Sequence, residues 1–247
     1  LLNDKTLEIH AKVTINCGGP WADLLLDVAR GKSGPQQIRR SEGIHIITKS
    51  LTNHFCVGGQ TTNGRHCNVI PWRGHSLIGT TDREYIGDPD QWKVTRPKVE
   101  EFINEVNGAF GKEELIKYSD VLFAYGGLRP LVEDETKDVY KSSRKYEIYD
   151  NEKDGLKGLV TVEGGKYTTS RNLAQNVMKT VTGKLNLKRQ SISSKKYLAG
   201  SEIKDMNAFL AMAKSNNSDF EDSTIDFLAR IYGTEYNEIL QIARSNE

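Results

Sequence analysis

The segment from Leu159 to Arg171, LVTVEGGKYTTSR, constrains the fold of this chain more than any other stretch. A short β-favouring run is followed by Gly164 and Gly165, and then by apolar residues at helical spacing. This order predicts a strand, a tight turn and a helix, the repeating unit of α/β proteins. The predicted apolar face of the helix consists of Leu173, Ala174, Val177, Met178 and Val181.

The start of this predicted helix has features of a binding site. Free backbone N–H groups and partial positive charge at a helix N-terminus attract an anion or an electron-rich ring, and Lys166 adds a full charge. The hydroxyls of Thr168 and Thr169 are expected to satisfy N–H groups of the first turn. An ordinary capped turn between a strand and a helix explains the same spacing equally well.

A second unit of this kind lies near the beginning of the chain. We predict a strand over Leu7–Cys17 with Cys17 buried in it, a turn at Gly18-Gly19-Pro20, and a helix over Trp21–Ala29. The chain contains no G-x-G-x-x-G motif, so the pyrophosphate-binding turn of any bound dinucleotide is expected outside it. The apolar face of the predicted helix consists of Trp21, Leu24, Leu25 and Val28.

The region between the two units has a different character. A glycine-, serine- and proline-containing linker leads into short β-like runs separated by turns, which indicate an antiparallel sheet. The predicted strands are Ile38–Thr48, Phe55–Gly58, Arg65–Pro71, Ser76–Thr81, Val121–Tyr125 and Tyr146–Tyr149, and Pro97–Phe110 is a predicted helix. Towards the end, Met206–Lys214, Ser223–Tyr232 and Glu235–Ala243 are predicted helices.

Composition excludes several classes of function. A net charge of +1 argues against a nucleic-acid partner. Three scattered cysteines predict neither a disulfide framework nor a metal site. No apolar run is long enough to span a membrane, and no secretory signal is visible.

Several side chains at strand ends are candidates for chemistry. Arg65, Arg129 and Arg144 are each expected next to a strand end, where guanidinium groups can converge on a phosphate, although each one alone is more typical of a solvated surface residue. His45, within an apolar strand, is a candidate general base or a structural histidine. Asp82 either caps a turn or orients a neighbouring side chain.

Seven segments, in this order, resemble the FAD-dependent glycerol-3-phosphate dehydrogenase family. Together they extend over roughly the first three quarters of the chain, and the last quarter resembles the start of the family's C-terminal helical domain. The segments are INCGGPWAD (Ile15–Asp23), RRSEGIHI (Arg39–Ile46), NVIPWRG (Asn68–Gly74), SLIGTTDREYIGDP (Ser76–Pro89), YGGLRPL (Tyr125–Leu131), SRKYEI (Ser143–Ile148) and VEGGKYTTSR (Val162–Arg171).

The resemblance implies a fold of class α/β (α+β) made of several parts. Part of a Rossmann-like FAD lobe is expected at residues 1–32, with a return to it at residues 158–182. A largely antiparallel substrate lobe is expected at residues 33–157, and the start of a C-terminal helical domain at residues 183–247. The family's glycine-rich N-terminal segment has no counterpart here, so the sequence is expected to be a piece of a longer protein. This piece by itself is expected not to bind FAD tightly.

The resemblance also implies a reaction, the oxidation of sn-glycerol 3-phosphate to dihydroxyacetone phosphate. A hydride leaves C2 for flavin N5 while a base takes the C2 hydroxyl proton. The implied catalytic residues are His45, Arg129 and Lys166, and the implied phosphate-binding residues are Arg65, Arg129 and Arg144. The implied cofactor-binding residues are Gly18, Gly19, Pro20, Trp21, Gly164, Gly165, Lys166, Thr168 and Thr169. Glu42 departs from the family pattern, and its negative charge is expected near the anion site.

Three alternatives stay open at this stage. Electrons pass on to quinone in the dehydrogenases and to oxygen in the oxidases, and the absence of a long polar insertion after about Asp88 favours the dehydrogenases. The third alternative is a catalytically inactive substrate-domain module. We expect a cytoplasmic protein, peripheral on the inner face of the cell membrane, and its oligomeric state is open, with a homodimer as one alternative.

Overall fold

The computed structural model describes residues 6–34, 38–61, 64–112, 114–131 and 146–245. The chain divides into two units, residues 1–188 and residues 189–247. The strands of the first unit are β1 (Thr14–Asn16), β2 (Arg39–Lys49), β3 (Val57–Gln60), β4 (His66–Trp72), β5 (His75–Gly79), β6 (Arg83–Tyr85), β7 (Val121–Leu131), β8 (Tyr146–Asp150) and β9 (Leu159–Gly164). Its helices are α1 (Ala22–Arg30), α2 (Arg96–Ala109) and α3 (Ser170–Lys184).

The strand, turn and helix predicted from Leu159 onward are confirmed. β9 is followed by a 3₁₀ turn over Tyr167–Thr169 and then by α3. Val177 and Val181 of α3 pack on Val162, whereas Ala174 and Met178 are exposed, so the buried face is narrower than the periodicity predicts. The hydroxyl of Thr169 donates to the Lys166 carbonyl at 3.1 Å, so the predicted side-chain cap at Thr169 is wrong.

β9 is the middle strand of a three-stranded sheet ordered β1-β9-β8. β1 runs parallel to β9, with Ile15 level with Val160, and β8 runs antiparallel to it. The predicted strand over Leu7–Cys17 is wrong in length, because only three residues, Thr14–Asn16, pair with β9. Cys17 is exposed at the end of that short pairing, which corrects the expectation that it is buried.

α1 buries a different face from the one that its apolar periodicity predicts. Leu24, Leu25 and Val28 are 41%, 48% and 79% exposed. The helix instead buries Ala22, Asp23 and Leu26. A buried ion pair that involves Asp23, described below, sets this orientation, and the apolar stripe of the helix is left facing outward.

The second sheet of the unit is ordered β3-β4-β5-β2-β6, and β7 pairs with β2. All these pairings are antiparallel, as predicted. The strand predicted at Tyr146–Tyr149 does not belong to this sheet, because it is β8 and pairs with β9 in the three-stranded sheet. β7 continues to Leu131, six residues beyond the predicted end, because β2 offers a pairing partner along almost its whole length. The core between the sheet and α2 includes Ile44, Ile46, Ile78, Val99, Phe102, Ile103 and Val106.

The second unit is helical, with α4 (Met206–Ser215), α5 (Asp222–Tyr232) and α6 (Tyr236–Ser245), so all three predicted helices are confirmed. Phe209 and Tyr236 meet edge to face at 5.7 Å within its core. Among the helices of both units in the described ranges, none has the length and apolar character needed to cross a lipid bilayer.

Candidate active site

One face of β2 packs in the hydrophobic core, and the other lines the candidate site. Ile44 and Ile46 point into the core against α2, so Ser41, Gly43 and His45 lie on the opposite face, because side chains alternate along a strand. β5 and β7 pair with β2 on either side of His45. A strand that is central to the sheet therefore supplies both the core and one wall of the candidate site.

Arg129 reaches across this face from β7. Its Nη2 donates to Thr80 Oγ1 at 2.8 Å, and its Nη1 donates to the Thr81 carbonyl at 3.2 Å. The same Nη1 lies 3.7 Å from a carboxylate oxygen of the buried Asp82. The Ser41 hydroxyl also donates to that carboxylate. Asp82 therefore orients a neighbouring side chain, the second of its two predicted roles, and Arg129 is held in one place.

His45 lies beside Arg129 and is half-buried. Its ring stacks on Tyr125 with 5.2 Å between centroids and 9° between planes. Burial and, secondarily, the positive charge of Arg129 lower the pKa of His45 below its usual value of 6.5. The imidazole is therefore neutral at neutral pH and able to accept a proton.

Glu42 lies on the other face of β2, which corrects the expectation that its charge disturbs the anion site. Its carboxylate accepts a hydrogen bond from Trp92 Nε1 at 2.7 Å and forms an ion pair with Lys98. Alternation along the strand separates Glu42 from Ser41 and Gly43 by the thickness of the sheet. The negative charge is thus compensated on the helix side.

Two glycine turns follow the two adjacent parallel strands. Asn16, at the end of β1, donates from Nδ2 to the Ala22 carbonyl at 2.9 Å, and its Oδ1 accepts from Gly18 N at 3.0 Å. At the end of β9, Gly164 and Gly165 have φ angles of 71° and 96°, which L side chains rarely adopt. Both turns therefore lie at the same edge of the sheet, the place where α/β folds bind ligands.

The predicted cofactor residues are distributed over these two turns. Gly18, Gly19 and Pro20 are half-buried, and Trp21 donates from Nε1 to Asp90 at 2.8 Å. Lys166, Thr168 and Thr169 are exposed around the second turn. β7, the strand that carries Arg129, contacts both β9 and the 3₁₀ turn Gly19–Trp21.

A buried ion pair connects β2 to the first glycine turn. Arg40 Nη2 contacts Asp23 Oδ1 at 2.6 Å, and the two side chains are only 3% and 8% exposed. Arg40 Nε also donates to the Pro20 carbonyl at 2.8 Å. One arginine thus ties the turn and the start of α1 to the larger sheet.

The three predicted phosphate-binding arginines are not gathered together within the described residues. Arg129 is in the site, and Arg144 lies outside the described residues. Arg65 precedes β4, two strands from β2, and Asn68 rather than Arg65 is level with Gly79 and His45. From strand geometry its Cα lies about 10 Å along and about 10 Å across from that of His45.

Glu163, on β9, is an ionisable residue of this region that sequence reasoning missed. It is 4% exposed and lies opposite Glu147 of β8. Burial, together with the charges of Asp23 and Glu147, raises the pKa of Glu163 from 4.5 to about 7. Its position in an apolar strand next to a glycine pair was visible in the sequence, but its acidic neighbours come from distant segments.

We expect Glu163→Gln to stabilise the protein at pH 8 and to have almost no effect at pH 4. Because the pKa is raised in the folded state, unfolding releases a proton between pH 4.5 and about 7, and stability falls as pH rises through that window. The stabilisation by Glu163→Gln grows over the same window, to about 3 kcal/mol above pH 7. Urea unfolding at several pH values measures it. The exposed Glu202 provides the control, and a Glu163→Gln gain no larger than that of Glu202→Gln at pH 8 would contradict the prediction.

Other residues that contact the functional groups were also not predicted. Tyr125, Thr80, Thr81 and Ser41 touch His45, Arg129 or Asp82, but they come from three separate segments. Predicting these contacts requires the register of β2 against β5 and β7, which the sequence does not contain. In the described part of the chain, no group of three or more His, Cys, Asp or Glu side chains is placed to hold a metal ion.

The fold and the site define a class of protein. A family model described as FAD dependent oxidoreductase matches residues 2–171. The chain belongs to this family of FAD-dependent oxidoreductases.

Particular relatives refine this assignment. A glycerol-3-phosphate dehydrogenase from Synechocystis is 29% identical over 96% of this chain and 44% of its own length. An alpha-glycerophosphate oxidase from Streptococcus pneumoniae is 25% identical over all of this chain and 50% of its own length. The solved structure of glycerol-3-phosphate dehydrogenase from Bacillus halodurans complexed with FAD covers all of this chain with a TM-score of 0.83 at 26% identity, and 48% of that chain is matched.

These comparisons confirm the resemblance found in the sequence and the mixed α/β fold class. The chain spans about half the length of the curated relatives that it matches.

Proposed function

We propose that the protein oxidises sn-glycerol 3-phosphate to dihydroxyacetone phosphate with FAD as its cofactor. The observation that carries the proposal is that a neutral, half-buried His45 and a fixed Arg129 lie on one face of the sheet. A base and a phosphate ligand are the two groups that this substrate requires from a protein. The names of the relatives and of the FAD-bound structural neighbour support the same assignment.

The two glycine turns fit a dinucleotide cofactor. Both follow adjacent parallel strands, and both lead into a helical turn whose first N–H groups lie at the sheet edge. We assign Gly18, Gly19, Pro20 and Trp21 of the first turn, and Gly164, Gly165, Lys166, Thr168 and Thr169 of the second, to this cofactor. FAD, when bound, supplies the acceptor for the hydride that leaves C2.

The side chains of this chain perform the other tasks. Arg129 binds the substrate phosphate with its planar guanidinium, which Thr80, the Thr81 carbonyl and Asp82 hold in orientation. Neutral His45 accepts the proton of the C2 hydroxyl at an imidazole nitrogen. Lys166 places positive charge at the second glycine turn, where it stabilises negative charge that develops during the reaction. Arg65 and Arg144 are proposed as further phosphate ligands.

We propose the following organisation of the chain. Residues 1–32 and 158–182 belong to the cofactor lobe, residues 33–157 form the substrate lobe, and residues 183–247 begin a helical domain. The parallel pair of β1 and β9 with its glycine turns supports the first assignment, and the antiparallel sheet that carries His45 and Arg129 supports the second. β8, within the range of the second assignment, pairs with β9. The three helices α4, α5 and α6 support the third.

We propose quinone, rather than oxygen, as the electron acceptor. The alignment with the streptococcal oxidase is 310 positions long, although this chain has 247 residues, so the oxidase carries residues that this chain lacks. We further propose a cytoplasmic location, peripheral to the inner face of the cell membrane, where quinone is available. Oxygen consumption in the absence of quinone would favour the oxidase alternative.

We expect the complete protein to show an oxidised-flavin absorption band that bleaches when glycerol 3-phosphate is added without oxygen. Free glycerol, which lacks the phosphate, is the matched control and should leave the band unchanged at the same concentration. His45→Gln should keep the band but slow its bleaching by about 100-fold, since general base catalysis typically contributes 10²–10⁴-fold. A band that does not bleach would contradict the substrate, and the absence of a band would contradict the cofactor.

A further inference from the structure

Two glycines of the larger sheet lie directly beneath the functional side chains. Gly79 of β5 is level with His45 of β2, and a Cβ added at Gly79 would lie under 3.0 Å from three atoms of the imidazole. A Cβ added at Gly43 of β2 would lie under 3.0 Å from three atoms of the Arg129 guanidinium. Neither glycine has a positive φ, so space rather than backbone conformation requires glycine at both positions.

We infer, on the basis of the function proposed above, that Gly43 and Gly79 are positioning residues. Each leaves a slot in the sheet surface in which one functional side chain lies, the guanidinium of Arg129 over Gly43 and the imidazole of His45 over Gly79. Tyr125 closes the other side of the His45 slot by stacking on the ring. The sheet thereby places the His45 ring and the Arg129 guanidinium side by side, each against the backbone of a strand.

The geometry explains why the slots control position rather than folding. The atoms that an added methyl group would meet belong to the ends of two side chains and not to the backbone. An alanine at either site therefore displaces one functional group and leaves the strand pairing in place. Gly126 differs, because an added Cβ there would meet the Gly43 carbonyl of the backbone.

The sheet also contains a matched control. Gly127 of β7 is level with Gly43, its φ is not positive, and a Cβ added there would meet nothing within 4 Å. Gly127→Ala makes the same chemical change on the neighbouring strand without filling a slot. Any difference between the variants then reports on the slot and not on the loss of a glycine from a strand.

Titration of His45 by NMR tests the inference without substrate or cofactor. The protein has five histidines, and the signal that disappears in His45→Gln assigns the ring. Among the described residues, the groups that face His45 are Arg129 and Tyr125 on β7, with Asp82 in contact with Arg129. Gly79→Ala should move the ring towards solvent and Gly43→Ala should move Arg129 away from it. Both variants should therefore raise the pKa of His45 towards about 6.5, whereas Gly127→Ala should not.

The outcomes separate the inference from the proposed function. If the pKa of His45 is unchanged or lower in both Gly43→Ala and Gly79→Ala, the inference is wrong, whatever the catalytic activity of the variants. If one variant does not fold by circular dichroism, the other still decides. In the complete protein, Gly79→Ala should lower kcat and Gly43→Ala should raise KM for glycerol 3-phosphate, each by about 10-fold or more. If His45→Gln leaves turnover unchanged, the proposed function fails, but the titration result stands.

Discussion

We expect Arg129→Ala to raise KM for glycerol 3-phosphate by about 100-fold or more in the complete protein, since losing one partner of a desolvated charge pair costs about 2–5 kcal/mol. Arg129 is half-buried, and its guanidinium is oriented by Thr80 and the Thr81 carbonyl, so the fork is presented in one geometry. Steady-state kinetics with the variant and the wild type measure the change. The flavin band should be retained, because Arg129 is not among the residues assigned to the cofactor.

Two controls sharpen this experiment. Arg73 lies in the exposed turn between β4 and β5 and stacks on Trp72, so Arg73→Ala removes an equal charge away from the site. Arg129→Lys keeps the charge but loses the planar fork, and an intermediate effect of about 10-fold is expected. With free glycerol at the much higher concentration needed for measurable turnover, Arg129→Ala should change kcat/KM much less. Equal losses with both substrates would show that Arg129 acts on something other than the phosphate.

We expect Arg40→Ala to lower the free energy of unfolding by about 3–5 kcal/mol, the usual cost of breaking a buried ion pair from one side. The substitution leaves the Asp23 carboxylate, 8% exposed, without the guanidinium that contacts it at 2.6 Å. It also removes the donor to the Pro20 carbonyl, so the first glycine turn loses its attachment to β2. Urea unfolding followed by circular dichroism measures the loss.

The preceding residue provides the control. Arg39 pairs with Glu84 at 3.0 Å, but the Glu84 side chain is 41% exposed, so Arg39→Ala should cost no more than about 1 kcal/mol. Adding Asp23→Ala to the Arg40→Ala variant removes the uncompensated carboxylate and should restore part of the lost stability. Equal costs for Arg39→Ala and Arg40→Ala would contradict a structural role for the buried pair.

Local signals in the sequence were sufficient for most elements of the fold. Gly164 and Gly165 between a β-favouring run and a helical period marked β9 and α3 correctly, and Pro97 marked the start of α2. The helix predicted over Trp21–Ala29 is confirmed as α1, but its apolar stripe, including Leu25 and Val28, is exposed. Periodicity identifies the apolar side of a helix, but the packing partner decides which side is buried, and here Arg40 fixes the side that carries Asp23.

The candidate site was only partly predictable. His45, Arg129 and Asp82 were recognised as residues with chemical potential, but their relation to one another depends on how β2 aligns with β5 and β7. Glu42 shows the limit clearly. It is adjacent in sequence to the site residues, yet strand alternation places it on the opposite face, next to Lys98.

The central position of β2 has a consequence for how the candidate site forms during folding. His45 meets Tyr125, which is 80 positions away in the chain, and Ser41 meets Asp82, for which the separation is 41 positions. Contacts between such distant segments require large loops to close, and their entropic cost is met only when the strands pair. The groups of the candidate site therefore come together only when β2 pairs with β5 and β7. We therefore expect recovery of turnover after dilution from denaturant to report the pairing of β2 with β5 and β7, which recovery of helix content alone does not report.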